Sequence, residues 1–582
     1  MDRIQLSVEQ TQNTTIPAES KSNRWFGDKV LWTFLALLVS SVLLQLWMAG
    51  KFRGYVGDQS TFISWMQSVE KVGIVKAYQS SQMDYPPIYP LLLGMLGHVA
   101  SSLGMQVQPG QWLIKLPGII FDAGAMIVMF VATKSVRPAW RLAILSLFCL
   151  NPAILFDTAV WGQIDILDGI LSVTAILLVV TKRPLWSGFT FGVSLLSKFQ
   201  SILIAPILMV YGLKVWMLNK HPKLSLKILA GAILPFGVFV IWFAAQGGGI
   251  VNMFHDSYVA TTSEYPYLSL NAMNIWFELF GTSPGTSDAT QVIPSVDYKL
   301  IGLILLFAAV VYASYYIWFS AKDVGETLLK AATIVSLSFY MLATEIHERY
   351  IIMALIFSMF TMLRDQRWAW FSIALTLTSF WDMWTVVYST TSATADLWMV
   401  YLNCVILIAM FGLSNRDIVD SRRPFRRLSR KPIIVRVCIA VGTLALAVRS
   451  FMLLDSQPDW YPWLRFVLIA VGCAAAIIIL VGPKLGRKIF VGATVTALVA
   501  AMAGPLVYNM DNITIFDGGS GRMSHFGFRG GGPMGGSVTN RYGNFGQWKN
   551  DGNFSPPSGT TPHPNGMGGL PRVGNSSQSK SK

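Results

Sequence analysis

The stretch Thr344-Glu345-Ile346-His347-Glu348-Arg349-Tyr350 concentrates charge and imidazole between two apolar runs, one from about Leu328 to Ala343 and one from Ile351 to Leu363. Charged groups set in hydrocarbon cost roughly 2.5–3.5 kcal/mol each on insertion scales, so such a knot implies a cavity filled by water or phosphate. Taken alone, it reads equally as the floor of an active site and as a helix end whose Arg and Glu snorkel into the headgroups. Arg349 offers a planar fork for phosphate oxygens, His347 a second donor, and Lys198, within Ser197-Lys198-Phe199-Gln200, a mobile point charge. Lys198 too reads equally as a snorkelling side chain at a helix end. The carboxylate best placed to work beside these groups is Asp58, directly after Gly57, where backbone can come close to a substrate. Asp84 is the second choice, and the other reading of Asp58 is a helix N-cap before Phe62.

Consider what these residue types could do if one reactant were a sugar phosphate on a long isoprenoid lying in the bilayer and the other arrived from outside. The leaving phosphate is already a weak base and needs no general acid. One carboxylate must take the proton of the incoming hydroxyl, while cationic groups hold the phosphate as its charge grows. Glu348 is expected to pair with Arg349 or an imidazole. In Trp161-Gly162-Gln163-Ile164-Asp165, the residues Trp161, Gln163 and Asp165 could bind sugar hydroxyls, with the indole stacked on a pyranose face; Tyr85 and Tyr350 stand beside them as supporting residues. Asp122 falls within an apolar run and is expected to make a structural interhelical hydrogen bond. A metal is disfavoured, because the heptapeptide holds one His with no second at zinc-helix spacing and the first long loop has no Asp-x-Asp pair. No cofactor is expected beyond a lipid-linked sugar as substrate.

The elements that must position these groups are membrane helices. With 582 residues, 53% hydrophobic and 13% charged, the chain is an all-α polytopic membrane protein rather than a soluble enzyme. Its net charge of +15 lies mostly in short loops, where it sets topology and does not point to nucleic acid. About fifteen runs could cross a bilayer. They begin near Val30, Trp112, Ala139, Ile166, Leu185, Ser201, Leu226, Tyr298, Leu328, Ile351, Trp368, Ala395, Ile433, Tyr461 and Ile489. Lys and Arg in the connections place the N-terminus in the cytoplasm, and an odd span number places the C-terminus outside. All the candidate site residues then share the outer face. The long connection from Gly50 to Gln111 carries Phe62, Trp65, Met66, Val69 and Val72 at helical spacing, predicting a helix along the interface. Before Val30 there is no signal-peptide pattern, so the first span is read as its own insertion signal. Cys149, Cys404, Cys438 and Cys473 lie in apolar segments without metal-ligand or disulfide spacing.

The resulting division is a cytoplasmic segment 1–29, a catalytic transmembrane core 30–413, a basic cytoplasmic loop 414–436, further transmembrane helices 437–508, and a tail 509–582. The tail is rich in Gly, Pro, Ser and Asn, a composition that cannot offset ordering entropy, so disorder is expected there.

The ordered set Gly57-Asp58, Tyr85-Pro86-Pro87-Ile88-Tyr89, Trp161-Gly162-Gln163-Ile164-Asp165, Ser197-Lys198-Phe199-Gln200 and His347-Glu348-Arg349-Tyr350 resembles the GT-C superfamily of polytopic glycosyltransferases. It is similar to bacterial integral membrane proteins akin to the GPI mannosyltransferases and to the glucosyltransferases of the eukaryotic N-glycan precursor. In the latter a His-Glu-Lys triplet occupies what looks like the place of His347-Glu348-Arg349. The resemblance covers roughly Val30 to Gly412 and implies a GT-C-like transmembrane helical bundle with a long first outer loop containing interfacial helices. It also implies an inverting, metal-free transfer of a hexose, mannose or glucose, from a polyprenyl-phosphate sugar to an extracytoplasmic glycan, lipid or protein acceptor in the cell membrane. The family's catalytic Asp falls on Asp58. The region after Ser414 departs from the shared core. Two rival readings stay open: a transporter or flippase of lipid-linked saccharides, against which stand the one-sided motifs and the lack of a repeat, and a non-catalytic scaffold for cell-envelope assembly.

Overall fold

The structure, a computed structural model, describes residues 21–80, 83–219, 222–262, 265–277, 285–388, 393–421 and 463–481, with isolated positions at 440, 444, 447 and 448. The N-terminal twenty residues, the spans expected near Ile433 and Ile489, most of the basic loop up to 436, Cys438 and the tail 509–582 lie outside the described residues. Among those described, the architecture is helical, with one small antiparallel pair, β1 (Gln291–Ile293) and β2 (Val296–Asp297).

Among the described residues, seven helical stretches are long and apolar enough to cross a membrane: 29–51, 112–132, 138–161, 199–218, 223–245, 298–319 and 396–419. The runs expected near Ile166, Leu185 and Ile351 form helices of 16, 12 and 11 residues, shorter than a bilayer requires. Their apolar character has another cause. Every residue of Ile351–Thr361 is buried, as is nearly all of Val324–Leu342, so these are inner helices of the bundle, apolar on all sides because protein surrounds them. Outer helices instead present Leu229, Ile233, Val238 and Ile241 or Leu303, Ile304 and Phe307 outward.

We label the elements that carry the site: α1 (Lys21–Lys51), α2 (Val56–Val72), α3 (Ile88–Ser102), α4 (Trp112–Ala132), α5 (Asp165–Val180), α6 (Val324–Leu342) and α7 (Ile351–Thr361). In α2 the stripe Phe62, Trp65, Met66 and Val69 is buried, whereas Val72 is exposed. The stripe faces α3, Tyr85 and Tyr89, so the helix expected along the interface spends its apolar face on protein. Close approach is possible because α3 offers glycine there: a Cβ on Gly94 would stand 2.4 Å from Val69 Cγ1.

The segment 138–161 is helical but not regular. Asn151 ends the first part and caps the short helix Pro152–Leu155, its side chain accepting from the amides of Ala153 and Ile154. A π-helical turn over Phe156–Trp161 follows and closes on Gly162 at φ +93°. Such insertions re-aim side chains and are found mostly where function needs it. Here the turn delivers Trp161 and Gln163 to the end of the bundle that holds α2. Asp122 on α4 accepts from Gln45 of α1 at 2.8 Å, the interhelical bond expected of it.

Candidate active site

Asp58 and Arg349, 291 positions apart in the chain, form an ion pair, Arg349 NH1 to Asp58 Oδ2 at 3.5 Å. Asp58 is the third residue of α2 and not its cap; Tyr55 holds the N-cap position. The capping reading is therefore set aside, and the carboxylate is free for other work. Its Oδ2 also accepts from Trp161 Nε1 at 2.8 Å and from Gln163 Nε2. Three donors thus converge on one oxygen, and no donor among the described residues is bonded to Oδ1. Asp58 keeps 22% of its side chain exposed, while Trp161 and Gln163 are 1% exposed.

The WGQ turn is therefore a holder of the carboxylate. The Trp161 indole, expected to stack on a sugar, is buried, with the Tyr55 ring at 5.1 Å and the Arg349 guanidinium at 5.7 Å. Gln163 likewise spends its amide on Asp58 and, at 3.4 Å, on the Tyr85 hydroxyl. Burial pushes the Tyr85 phenol well up, so it stays a neutral donor. Asp84, the alternative base, is half-buried at the start of the Tyr85 turn, and the ion pair with Arg349 is made by Asp58.

Arg349 is 7% exposed and bonds Glu348 Oε1 at 2.9 Å through the same NH1 that faces Asp58. Its Nε is buried and has no hydrogen-bond partner among the described residues. Burial alone would lower its pKa, but the Asp58 and Glu348 carboxylates outweigh that and hold the guanidinium firmly charged. For Glu348, 1% exposed, burial acts to raise the pKa; the hydrogen bond from His347 and the Arg349 charge prevail and lower it. His347 Nδ1 lies 3.9 Å from Glu348 Oε2, and His347 is the most open of the three, with 23% of its side chain exposed. Glu348 thus pairs with both of its expected partners.

Lys198 makes a buried ion pair with Asp165. Its ammonium lies 5.1 Å from the Tyr350 ring and 5.6 Å from the Tyr85 ring, and Gln200 donates to the Tyr350 carbonyl at 3.0 Å. Lys198 and Asp165 therefore form a second, deeper pair beneath the first, separated from it by two tyrosines. Asp165, read from sequence as a sugar ligand, spends Oδ1 on Lys198.

The heptapeptide is held by a segment that sequence reasoning did not single out. Residues 265–276 lie along it: Glu345 N donates to Tyr267 O, Leu270 N donates to Ile346 O, and His347 bridges Leu270 and Asn271. Met273 N in turn donates to Asp382 Oδ2 and to the Tyr340 hydroxyl. Glu345 adopts φ +61°, unusual for a residue with a Cβ. Tyr55 and Gln59 were also missed. No local pattern marks them, since their partners are backbone or lie a hundred positions away. An acidic trio, Glu326, Asp365 and Asp417, lies at the far end of α6, and Lys330 Nζ fills its centre with three bonds of 2.6–2.8 Å.

The model of the ALG6, ALG8 glycosyltransferase family matches residues 282–482, a stretch that contains His347-Glu348-Arg349. The match, over about a third of the chain, is consistent with a GT-C type membrane glycosyltransferase. That family implies a glycosyltransferase using a lipid-linked sugar. The matched stretch supplies the Arg349 half of the ion pair, and Asp58, Trp161, Gln163 and Lys198 lie before it. No curated protein sequence matches the chain significantly.

Proposed function

We propose that this glycosyltransferase moves a hexose, mannose or glucose, from a polyprenyl-phosphate carrier to an extracytoplasmic acceptor with inversion and without a metal. The observation that carries the reading is the division of labour on one guanidinium. Arg349 NH1 serves Asp58 and Glu348, while buried Nε lacks a partner. A guanidinium fork binds two phosphate oxygens through one edge, so the donor phosphate can dock on the Nε side without displacing the carboxylate from NH1.

In this arrangement Asp58 Oδ1 accepts the proton of the acceptor hydroxyl as that oxygen attacks the anomeric carbon. The bond from that carbon to the phosphate oxygen breaks, and its electron pair leaves on the prenyl phosphate, held by Arg349 and His347. One displacement at one carbon inverts its configuration. Oδ2, tied to Trp161 and Gln163, fixes the direction in which Oδ1 points, which is the positional contribution expected of a pre-oriented base. Lys198, its charge balanced by Asp165, turns its ammonium toward Tyr85 and Tyr350 and contributes less to the phosphate than Arg349 does. Glu348 holds Arg349 in plane and His347 within reach.

The test separates binding from turnover. Asp58→Asn keeps the side-chain shape and removes the proton acceptor, so turnover of a labelled prenyl-phosphate hexose should fall about 10³-fold with donor-analogue binding nearly intact. Full activity in that variant would remove Asp58 as the base. Transfer by detergent-solubilised protein, which has no sealed compartment, separates an enzyme from a flippase.

A further inference from the structure

Gln59, next in sequence to the carboxylate, is 0% exposed and uses its whole amide on backbone. Its Nε2 donates to Arg53 O at 3.0 Å and to Trp161 O at 2.7 Å, and its Oε1 accepts from Gly110 N at 2.6 Å. These three backbone groups belong to three separate pieces of chain: the link leaving α1, the link arriving at α4, and the end of the π-helical turn. Packing around the amide is close. A Cβ on Gly54 would stand 3.0 Å from Nε2 and 1.8 Å from Val160 O, and one on Gly162 would stand 3.3 Å from Nε2. Both glycines sit at positive φ, +73° and +93°, so the chain accepts a left-handed backbone at both places where it wraps this side chain.

We infer that Gln59 is a positioning residue for the reaction: by fixing the Trp161 carbonyl it sets where Trp161 Nε1 and Gln163 Nε2 meet Asp58 Oδ2, and hence where Oδ1 points. The inference rests on the reading of Asp58 as the base. The geometry is economical in sequence terms, because one two-residue unit, Asp58-Gln59, carries the acceptor of the side-chain donors and the anchor of the backbone that presents them. On the backbone side the turn has two restraints. Gly162 N and Gln163 N both donate to Asp157 O at 3.0 Å, which closes the turn on itself, and among the described residues the Gln59 bond is the one that ties its Trp161 carbonyl to α2. Without that bond the turn keeps its shape, and its position against Asp58 rests on the Trp161 and Gln163 side-chain bonds alone. Arg349 is held by Glu348, and the heptapeptide that bears it is held by residues 265–276.

The experiment uses the full-length protein in detergent with a labelled prenyl-phosphate hexose and compares Gln59→Met and Gln59→Glu with wild type. Methionine fills a similar volume without hydrogen bonds. For Gln59→Met, kcat per folded protein should fall about 10- to 100-fold, the scale of a sub-ångström to 1 Å misplacement of a reacting group, with the donor KM within about twofold. Gln59→Glu retains an acceptor for Gly110 N but turns a donor into an oxygen facing two carbonyls. Its activity relative to wild type should rise as pH is lowered, because a protonated carboxyl regains one donated bond. A purely structural role would lower the yield of folded protein or its Tm and leave kcat and this pH-dependent ratio alone; that outcome overturns the inference. Loss of turnover in Asp58→Asn alongside full activity in Gln59→Met would overturn the inference while sparing the base, and activity in Asp58→Asn would remove the reading on which it stands.

Discussion

The two ends of α6 hold two charged clusters that differ in one respect. At the first turns of the helix Lys330, 0% exposed, bonds Glu326, Asp365 and Asp417, and Arg367 adds bonds to Asp365 and Asp417. Beyond the other end, about 28 Å along a helix of 19 residues, Arg349 bonds Glu348 and faces Asp58 but keeps a buried Nε without a partner. Both clusters carry cations among carboxylates in a bundle where isolated charge is costly. One closes on itself, and the other leaves a donor on Arg349 and an oxygen on Asp58 for something that arrives. A closed cluster holds helices together, as Lys330 joins α6 to the segments bearing Asp365 and Asp417. An incomplete one is what the proposed site requires.

The contrast is most directly broken by exchanging the effects of two substitutions. Asp58→Asn should cost about 10³-fold in turnover with little change in Tm. Lys330→Met should do the reverse, because removing the shared cation leaves three carboxylates facing one another. The expected loss is about 3–5 kcal/mol of stability, read as a lowered Tm, with kcat per folded protein unchanged. A large kcat effect from Lys330→Met would mean that the far cluster is also catalytic and that the distinction fails.

A smaller effect sharpens the comparison at Arg349 itself. Arg349→Lys keeps the charge but loses the planar fork, so it can hold the carboxylates or the phosphate but not both. Turnover should fall roughly 10- to 100-fold, with a larger share in donor KM than Asp58→Asn shows. Equal KM in both variants would place the phosphate elsewhere.

The smallest expected effect concerns pH. The Glu348 pKa is lowered in the folded protein, so its contribution is fully present above the ordinary carboxylate range and is lost as pH falls through the lowered value. The Glu348 contribution to donor-analogue affinity should therefore be constant above about pH 5 and decline on stronger acidification, and Glu348→Gln should weaken binding at neutral pH and flatten that acid limb. An unchanged acid limb in Glu348→Gln would assign the decline to another group.

The parts of this architecture legible in the sequence were those written locally. Apolar runs marked the helices, and Asp58, His347-Glu348-Arg349 and the WGQ turn were recognisable because charge and amide are rare amid hydrocarbon. Two things were not legible. Apolarity does not distinguish a helix in lipid from one inside protein, so Ile351–Thr361 read as a span although it is an inner helix of 11 residues. Nor does spacing disclose pairing. Lys198 read as a free point charge until its neighbour proved to be Asp165, and Trp161 read as a sugar platform until its indole proved to hold Asp58. Gln59 has no signature, because its partners are three main-chain groups and any sequence supplies those.

The central claim, a phosphate gripped on the unused edge of Arg349 beside the base, is tested most directly by the affinity of a non-transferable prenyl-phosphonate hexose for wild type, Asp58→Asn, Lys198→Met and Arg349→Ala. Arg349→Ala should weaken binding about 100-fold, the scale of a lost charge-assisted fork; Lys198→Met should weaken it less, and Asp58→Asn should bind as well as wild type. Wild-type affinity in Arg349→Ala, with loss confined to Lys198→Met, would contradict the account.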